Sequence, residues 1–180
     1  MIQILVFITA IITLLFPASA EAMKIDITKQ ADNTSVSIFA YQRINEDLFP
    51  DTSIHLDAFK SHIQEIITEN YTVLSLDEMI QAFETGRALP PKTIAITFDG
   101  GYQSILQTAL PLLDEHGLPY TIFVAPDNAD AATKNGAYLS WKQIQRLYKK
   151  DNVTIGLHPA RYTRLSGLEE GKIRHDINKA

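Results

Sequence analysis

An α/β fold on a parallel sheet is what this sequence predicts, and three observations predict it. Short apolar, β-branched runs alternate with amphipathic stretches, about five of each, and that alternation is the pattern of a parallel sheet covered by helices. Ser-x-x-Glu/Gln boxes stand at the heads of three helical stretches, where the Ser caps an early N–H and the Glu or Gln reaches back. Two residues able to do chemistry, Asp99 and His158, each fall at the end of a predicted strand. In α/β barrels that end of the strand is where sites are built.

Taken in order, residues 24–35 are polar and read as a lead-in, and Val36 to Tyr41 reads as the first strand. Leu56, Phe59, Ile63, Ile66 and Ile67 recur at helical spacing and predict a helix over 56–69. Thr72 to Leu74 is a short strand. The box Ser75-Leu76-Asp77-Glu78 opens a helix that stops at Gly86. A strand follows over 93–98. Ile105, Leu106, Ala109, Leu110 and Leu113 then supply an apolar stripe ending at Gly117, which suits a helix C-cap. Tyr120 to Ala125 is a strand, and 126–138 reads as a polar loop. Ser140-Trp141-Lys142-Gln143 opens a helix to about Lys149, Val153 to Leu157 is a strand, and Ser166-Gly167-Leu168-Glu169 opens a terminal helix.

Composition narrows the function classes. The chain has 180 residues, enough for one domain, and 46% are hydrophobic. The formal charge of −5, with lysines and arginines dispersed, argues against nucleic-acid binding. There is no cysteine, which excludes disulfides and thiolate metal sites. Ile4 to Phe16 is an apolar run of 13 residues, short for a membrane span, followed by Pro17 and the small residues Ala18-Ser19-Ala20. This reads as a secretory signal over residues 1–20, or 1–22 in a second register, against the alternatives of a buried helix or an uncleaved anchor. The expected mature chain is periplasmic or secreted, with no membrane span after signal removal.

Thr97-Phe98-Asp99-Gly100-Gly101-Tyr102 is the most informative stretch. The glycines allow a sharp turn and close approach of a ligand. The run from Ile96 to Tyr102 resembles the first motif, T-F-D-D-G, of the polysaccharide deacetylases, also called NodB-homology proteins or family 4 carbohydrate esterases. Phe39-Ala40-Tyr41-Gln42-Arg43-Ile44 is similar to that family's F-x-Y-H-R-I start, with Gln42 in place of His. His158-Pro159-Ala160-Arg161-Tyr162 is similar to its H-x-x-x-H motif, with Tyr162 in place of the second His.

The resemblance implies a distorted (β/α) barrel, here the incomplete N-terminal part of the domain over 36–180. It implies N-deacetylation of N-acetylglucosamine-containing polysaccharide by a divalent metal, usually zinc. On the family pattern Asp99 is the catalytic base and His158 a metal ligand, while Gly100 and Tyr162 stand where the other two ligands would be. Gln42 and Tyr102 are candidates for substrate contact. The motifs that supply an Arg beside the base and a His acid in the family lie past Ala180. The expectation is therefore a degenerate copy, inactive alone. The alternative is a non-catalytic carbohydrate- or envelope-binding protein on the same scaffold. Five strands do not close such a barrel, so self-association through an open sheet edge is expected. Changing Gly100 to Asp and Tyr162 to His together is expected to raise zinc affinity.

Other residues have plainer expected roles. His55, His62, His116 and His175 are expected at the surface, Asp114 and Glu115 on a solvated helix face, and Trp141 in the core rather than as a sugar platform.

Overall fold

The computed structural model describes residues 36–180. The signal sequence and the polar lead-in expected before Val36 lie outside them. The elements are β1 (Ser37–Tyr41), β2 (Arg43–Ile44), β3 (Ser53–Ile54), α1 (Leu56–Thr68), β4 (Thr72–Val73), α2 (Leu76–Thr85), β5 (Thr93–Asp99), α3 (Gln103–Glu115), β6 (Tyr120–Val124), α4 (Pro126–Asn135), α5 (Trp141–Leu147), β7 (Val153–Leu157) and α6 (Glu170–Lys179).

The main sheet is wholly parallel, with strand order β1-β5-β6-β7. β4 pairs with the N-terminal end of β5, Thr72 opposite Thr93, whereas β6 pairs with its C-terminal half, Thr97 opposite Thr121. β5 is thus the centre of the sheet, and six of its seven residues are buried. A strand covered on both faces needs apolar or small residues at every position, and Thr-Ile-Ala-Ile-Thr-Phe meets that need. Its alternate residues face different layers. Ile94, Ile96 and Phe98 join the core formed with α1 and α3, while Ala95 packs with Met79, Ala82 and Leu89. Tyr41, Phe59 and Tyr120 surround Phe98 at ring-centroid distances of 5.7, 6.2 and 6.2 Å.

The sheet does not close into a barrel among the described residues: β1 pairs only with β5, and β7 only with β6. A groove of about 440 Å³ runs beside β1, lined by Ile38, Phe39, Tyr41, His62, Ile66 and Tyr71.

Local signals are met where they are strong. Ser75 accepts from the Glu78 N–H at 3.2 Å and donates its own N–H to Glu78 Oε2 at 3.1 Å, and Gly86 ends α2 with φ 68°. At the head of α5 the Ser140 N–H donates to Gln143 Oε1 at 2.8 Å.

Two expectations are corrected. Residues 126–135 form α4, not a loop. Pro126 starts it, and its buried side is carried by Ala129 and Ala132, residues too small to raise an apolar periodicity. The terminal helix starts at Glu170, with Glu169 as its N-cap, because residues 166–168 form a turn in which Gly167 has φ 88°. β2 and β3 form a second, two-stranded parallel ribbon, with Arg43 opposite Ser53, and two-residue strands are below the reach of any periodicity.

Candidate functional site

Three chain segments meet at the C-terminal end of the sheet. The first is the glycine turn. Asp99 is the last residue of β5, and Gly100 and Gly101 follow with φ of 90° and 62°, a conformation that favours glycine. The Gly100 N–H donates to the Phe123 carbonyl at 2.9 Å, which extends the β5–β6 ladder by one step. The Leu139 N–H donates to Gly101 O at 2.8 Å, and Tyr102 bridges Tyr138.

The second segment follows β7. The His158 N–H donates to Val124 O at 2.9 Å. The turn beyond it is held from below: Asp127 donates its N–H to Ala160 O at 3.0 Å, and Ala160 donates its own to Asp176 O at 3.2 Å. Arg161 Nε donates to Asp176 Oδ1 at 2.7 Å, and Asp176 is fully buried. Tyr162 sits at φ 48°, the left-handed region. Helices α4 and α6 therefore anchor the turn that carries His158 and Tyr162.

The third segment leaves β1. Gln42 Nε2 donates to the Tyr162 hydroxyl at 3.3 Å. Arg43 lies between two aromatic rings, its guanidinium carbon 4.0 Å from the Phe49 centroid and 3.7 Å from the Tyr102 centroid. Its Nη1 donates to Thr52 Oγ1 at 2.7 Å, and its Nε lies 3.5 Å from Glu46 Oε2.

The fold thus brings Asp99, Gly100, His158, Tyr162 and Gln42 together, with Gln42 and Tyr162 120 residues apart. His158 Nε2 lies 3.8 Å from Asp99 Oδ1, too long for a hydrogen bond. Burial raises the Asp99 carboxyl above its ordinary range, opposed by His158. Burial also lowers the His158 imidazole, opposed by Asp99. Each group is pushed toward its uncharged form, and the His158 Nε2 is buried without a hydrogen-bond partner among the described residues. Burial pushes the Tyr162 phenol up to about 12, with Tyr102 and Asp99 adding to the effect. A cavity of about 430 Å³ opens beside Asp99, lined by Tyr41, Gln42, Arg43, Asp51, Thr52 and Ser53 among others.

The coupling of Asp99 and His158 makes a prediction. The His158 ring is expected to titrate below its ordinary value of 6.5. Asp99→Asn removes the only upward push, so the value should fall further. A group with a depressed folded pKa contributes stability above its unfolded pKa and loses it as pH falls through the folded one. The imidazole NMR shift followed against pH decides, and titration above 6.5, or a rise in Asp99→Asn, would refute the arrangement.

These residues do not fit a zinc ion. Such a site takes about three protein ligands and an open position. Gly100 offers no side chain, and the Tyr162 phenolate is disfavoured at neutral pH. Among the described residues no group of three His, Cys, Asp or Glu side chains is placed to hold a metal.

The remaining sequence candidates fall as follows. Tyr102 is 6% exposed and turned inward against Arg43, Tyr138 and Tyr162. His55, His62, His116 and His175 are exposed. Trp141 is not in the core: it is 40% exposed and donates to Asp130 Oδ1 at 2.7 Å, because α4, read from the sequence as a loop, supplies that partner. Glu115 is exposed as expected, and Asp114 is partly exposed beside it. Asp114 accepts from the Tyr120 hydroxyl and Asn152 Nδ2, each at 3.1 Å, and pairs with Lys150. Arg43, Asp176 and Arg161 are site residues that sequence reasoning misses. Only Arg43 left a signal, as a cation within the quoted F-x-Y-H-R-I-like start.

Comparison with known proteins agrees with this fold. The family model for polysaccharide deacetylase matches residues 86–180, just over half of the chain. A poly-beta-1,6-N-acetyl-D-glucosamine N-deacetylase of Staphylococcus epidermidis is 32% identical over 92 residues, which are 51% of this chain and 32% of that protein. Among solved structures, the deacetylase PplD of Streptococcus pyogenes, in complex with acetate, superposes with a TM-score of 0.70 at 18% identity. IcaB of Ammonifex degensii superposes with 0.68 at 21% identity. Each of these two matches covers 82% of this chain and 66% of the other. Over the matched part they share its α/β fold with a parallel sheet. This chain spans about a third of the length of the curated relative it matches.

Proposed function

The chain belongs to the polysaccharide deacetylase family, and we propose that it is a member whose metal centre has been dismantled and that does not deacetylate on its own. One observation carries the reading. The position of the missing ligand, Gly100, faces the rings of Tyr102 and Tyr162, and an added Cβ there would lie 2.7 and 3.1 Å from them. Asp99 and His158 remain, close enough to interact but without the donors a metal needs. A base without an activated water and a polarised carbonyl addresses only part of the barrier to amide hydrolysis.

A second reading is favoured by the cavity beside Asp99. Its wall is lined by Tyr41, Gln42, Asp51, Thr52 and Ser53 among others, a mixture of polar groups suited to a saccharide, so the chain binds N-acetylglucosamine-type saccharide without turning it over. One experiment addresses both readings. The chain is incubated with chitin oligomers and zinc or cobalt, acetate release is followed, and zinc and the oligomers are each titrated calorimetrically. The expected result is no acetate and no zinc complex tighter than about 1 μM, which corresponds to about −8.2 kcal/mol. Oligomer binding without acetate supports the second reading. Acetate release that Asp99→Asn abolishes would overturn both.

The place of action is proposed to be the cell envelope or the medium, from the signal-like residues 1–20. Support comes from the relative in Staphylococcus epidermidis, whose name states that it acts on poly-beta-1,6-N-acetyl-D-glucosamine. Among the described residues no helix is long and apolar enough to cross a membrane. N-terminal sequencing of the exported protein is expected to start at Glu21, or at Met23 in the second register, and a cytoplasmic product that keeps Met1 would exclude export.

A further inference from the structure

We propose that the Tyr162 hydroxyl, oriented by Gln42, reads the acetyl carbonyl of an N-acetylated sugar bound in the cavity beside Asp99. The inference rests on the saccharide-binding reading above and goes one step further, to the residue that tells an acetamido sugar from a free amino sugar.

The hydroxyl is committed on one side only. Gln42 Nε2 donates to it at 3.3 Å, which takes up its acceptor side. A phenol keeps its proton at neutral pH, and among the described residues none accepts that proton. The hydroxyl is therefore a donor in want of an acceptor. It also stands at the cavity of about 430 Å³, because Gln42 lines that cavity together with Asp99. The ring is held in place. Its centroid lies 4.5 Å from that of His158 and 6.5 Å from that of Tyr102. The Tyr162 N–H donates to Pro159 O at 3.0 Å, and the same turn is tied to Asp176 through Ala160 and Arg161.

The neighbouring tyrosines do not offer the same group. The Tyr41 hydroxyl is 3.1 Å from His62 Nδ1, and Tyr102 is 6% exposed and hydrogen-bonded to Tyr138.

A secondary amide leaving water needs a donor for its carbonyl and an acceptor for its N–H. Tyr162 supplies the first, and Asp99, in the same cavity wall, supplies the second. The ammonium of glucosamine presents donors alone, and a hydroxyl whose acceptor side faces Gln42 gives it nothing. A site built to hydrogen-bond one ligand group rejects the analogue that lacks it, so the choice between the two sugars falls on Tyr162.

The test is a calorimetric titration of the unmodified chain, of Tyr162→Phe and of Gln42→Leu, each checked for native circular dichroism. The ligands are chitin oligomers and fully deacetylated oligomers of the same length. The unmodified chain is expected to bind the acetylated oligomer more tightly. Tyr162→Phe removes one oxygen and keeps the ring. It is expected to weaken acetylated-oligomer binding about tenfold, a difference of about 1.4 kcal/mol, and to leave deacetylated-oligomer binding unchanged. Gln42→Leu is expected to act in the same direction. With ¹³C-labelled acetyl groups, the bound carbonyl resonance is expected to move upfield in Tyr162→Phe, as the hydrogen bond is lost. An unchanged affinity for the acetylated oligomer in either variant would overturn the proposal. So would an equal loss for both ligands, which would mean that Tyr162 shapes the site without reading the acetyl group. An unmodified chain that binds both oligomers equally would overturn the proposal and leave the saccharide-binding reading standing. Failure to bind either oligomer would bring down that reading itself, and the proposal with it.

Discussion

Phe98→Ala is expected to lower the free energy of unfolding by about 3–5 kcal/mol, the usual range for removing a fully buried aromatic ring. Phe98 has no exposed surface and lies among Tyr41, Phe59 and Tyr120. It belongs to the central strand, so little of the surroundings is free to collapse into the space, and the residual cavity adds to the lost transfer energy. Urea denaturation of the two proteins measures the difference. Phe83 is the internal control. It is 54% exposed, and Phe83→Ala should change stability by no more than about 0.5 kcal/mol. A loss below about 1.5 kcal/mol for Phe98→Ala would mean that the aromatic cluster is not the packed core described here.

Arg161→Met is expected to cost about 3 kcal/mol, at the low end of the range for breaking a buried ion pair by removing one partner. The asymmetry of the pair gives the reason. Arg161 is half exposed and finds water easily, whereas Asp176 is fully buried and its second oxygen has no hydrogen-bond partner among the described residues. Without Arg161 the carboxylate keeps its desolvation cost and loses its counter-charge. Arg161→Met combined with Asp176→Leu should recover most of the loss, because a buried pair is often replaceable by apolar groups of similar size. Denaturation of the single and double variants tests this. A single-variant loss under about 1 kcal/mol would show that the pair behaves as a surface one. Since Ala160 N–H also donates to Asp176 O, the single variant is expected to loosen the turn that carries His158 and Tyr162.

Much of the framework is legible in the amino-acid sequence. The strands β1, β4, β5, β6 and β7 and the helices α1, α2, α3 and α5 follow from apolar periodicity and from capping boxes, both of which act within one or two turns of chain. The capping Ser75–Glu78 pair and the left-handed Gly86 are local by nature and need no tertiary contact to be read. The family likewise follows from short contiguous motifs, now joined by the match over residues 86–180. The elements that escaped reading are those whose stability comes from elsewhere. α4 hides its buried face in two alanines, and β2 and β3 are too short to carry a period.

Local sequence is therefore enough for the alternation of strand and helix, and for the chemical identity of Asp99, His158 and the substituted positions Gly100 and Tyr162. Only the tertiary structure decided how these act on one another. It set Asp99 and His158 at 3.8 Å with both groups pushed toward their uncharged forms. It placed the Tyr102 ring where a side chain at position 100 would begin, and it bound the His158 turn to a buried carboxylate eighteen residues further on. The reason is physical. Propensity and capping depend on neighbours in the chain, whereas desolvation, ring packing and buried ion pairs depend on which distant segments share a volume, and the folded sheet alone brings those segments together.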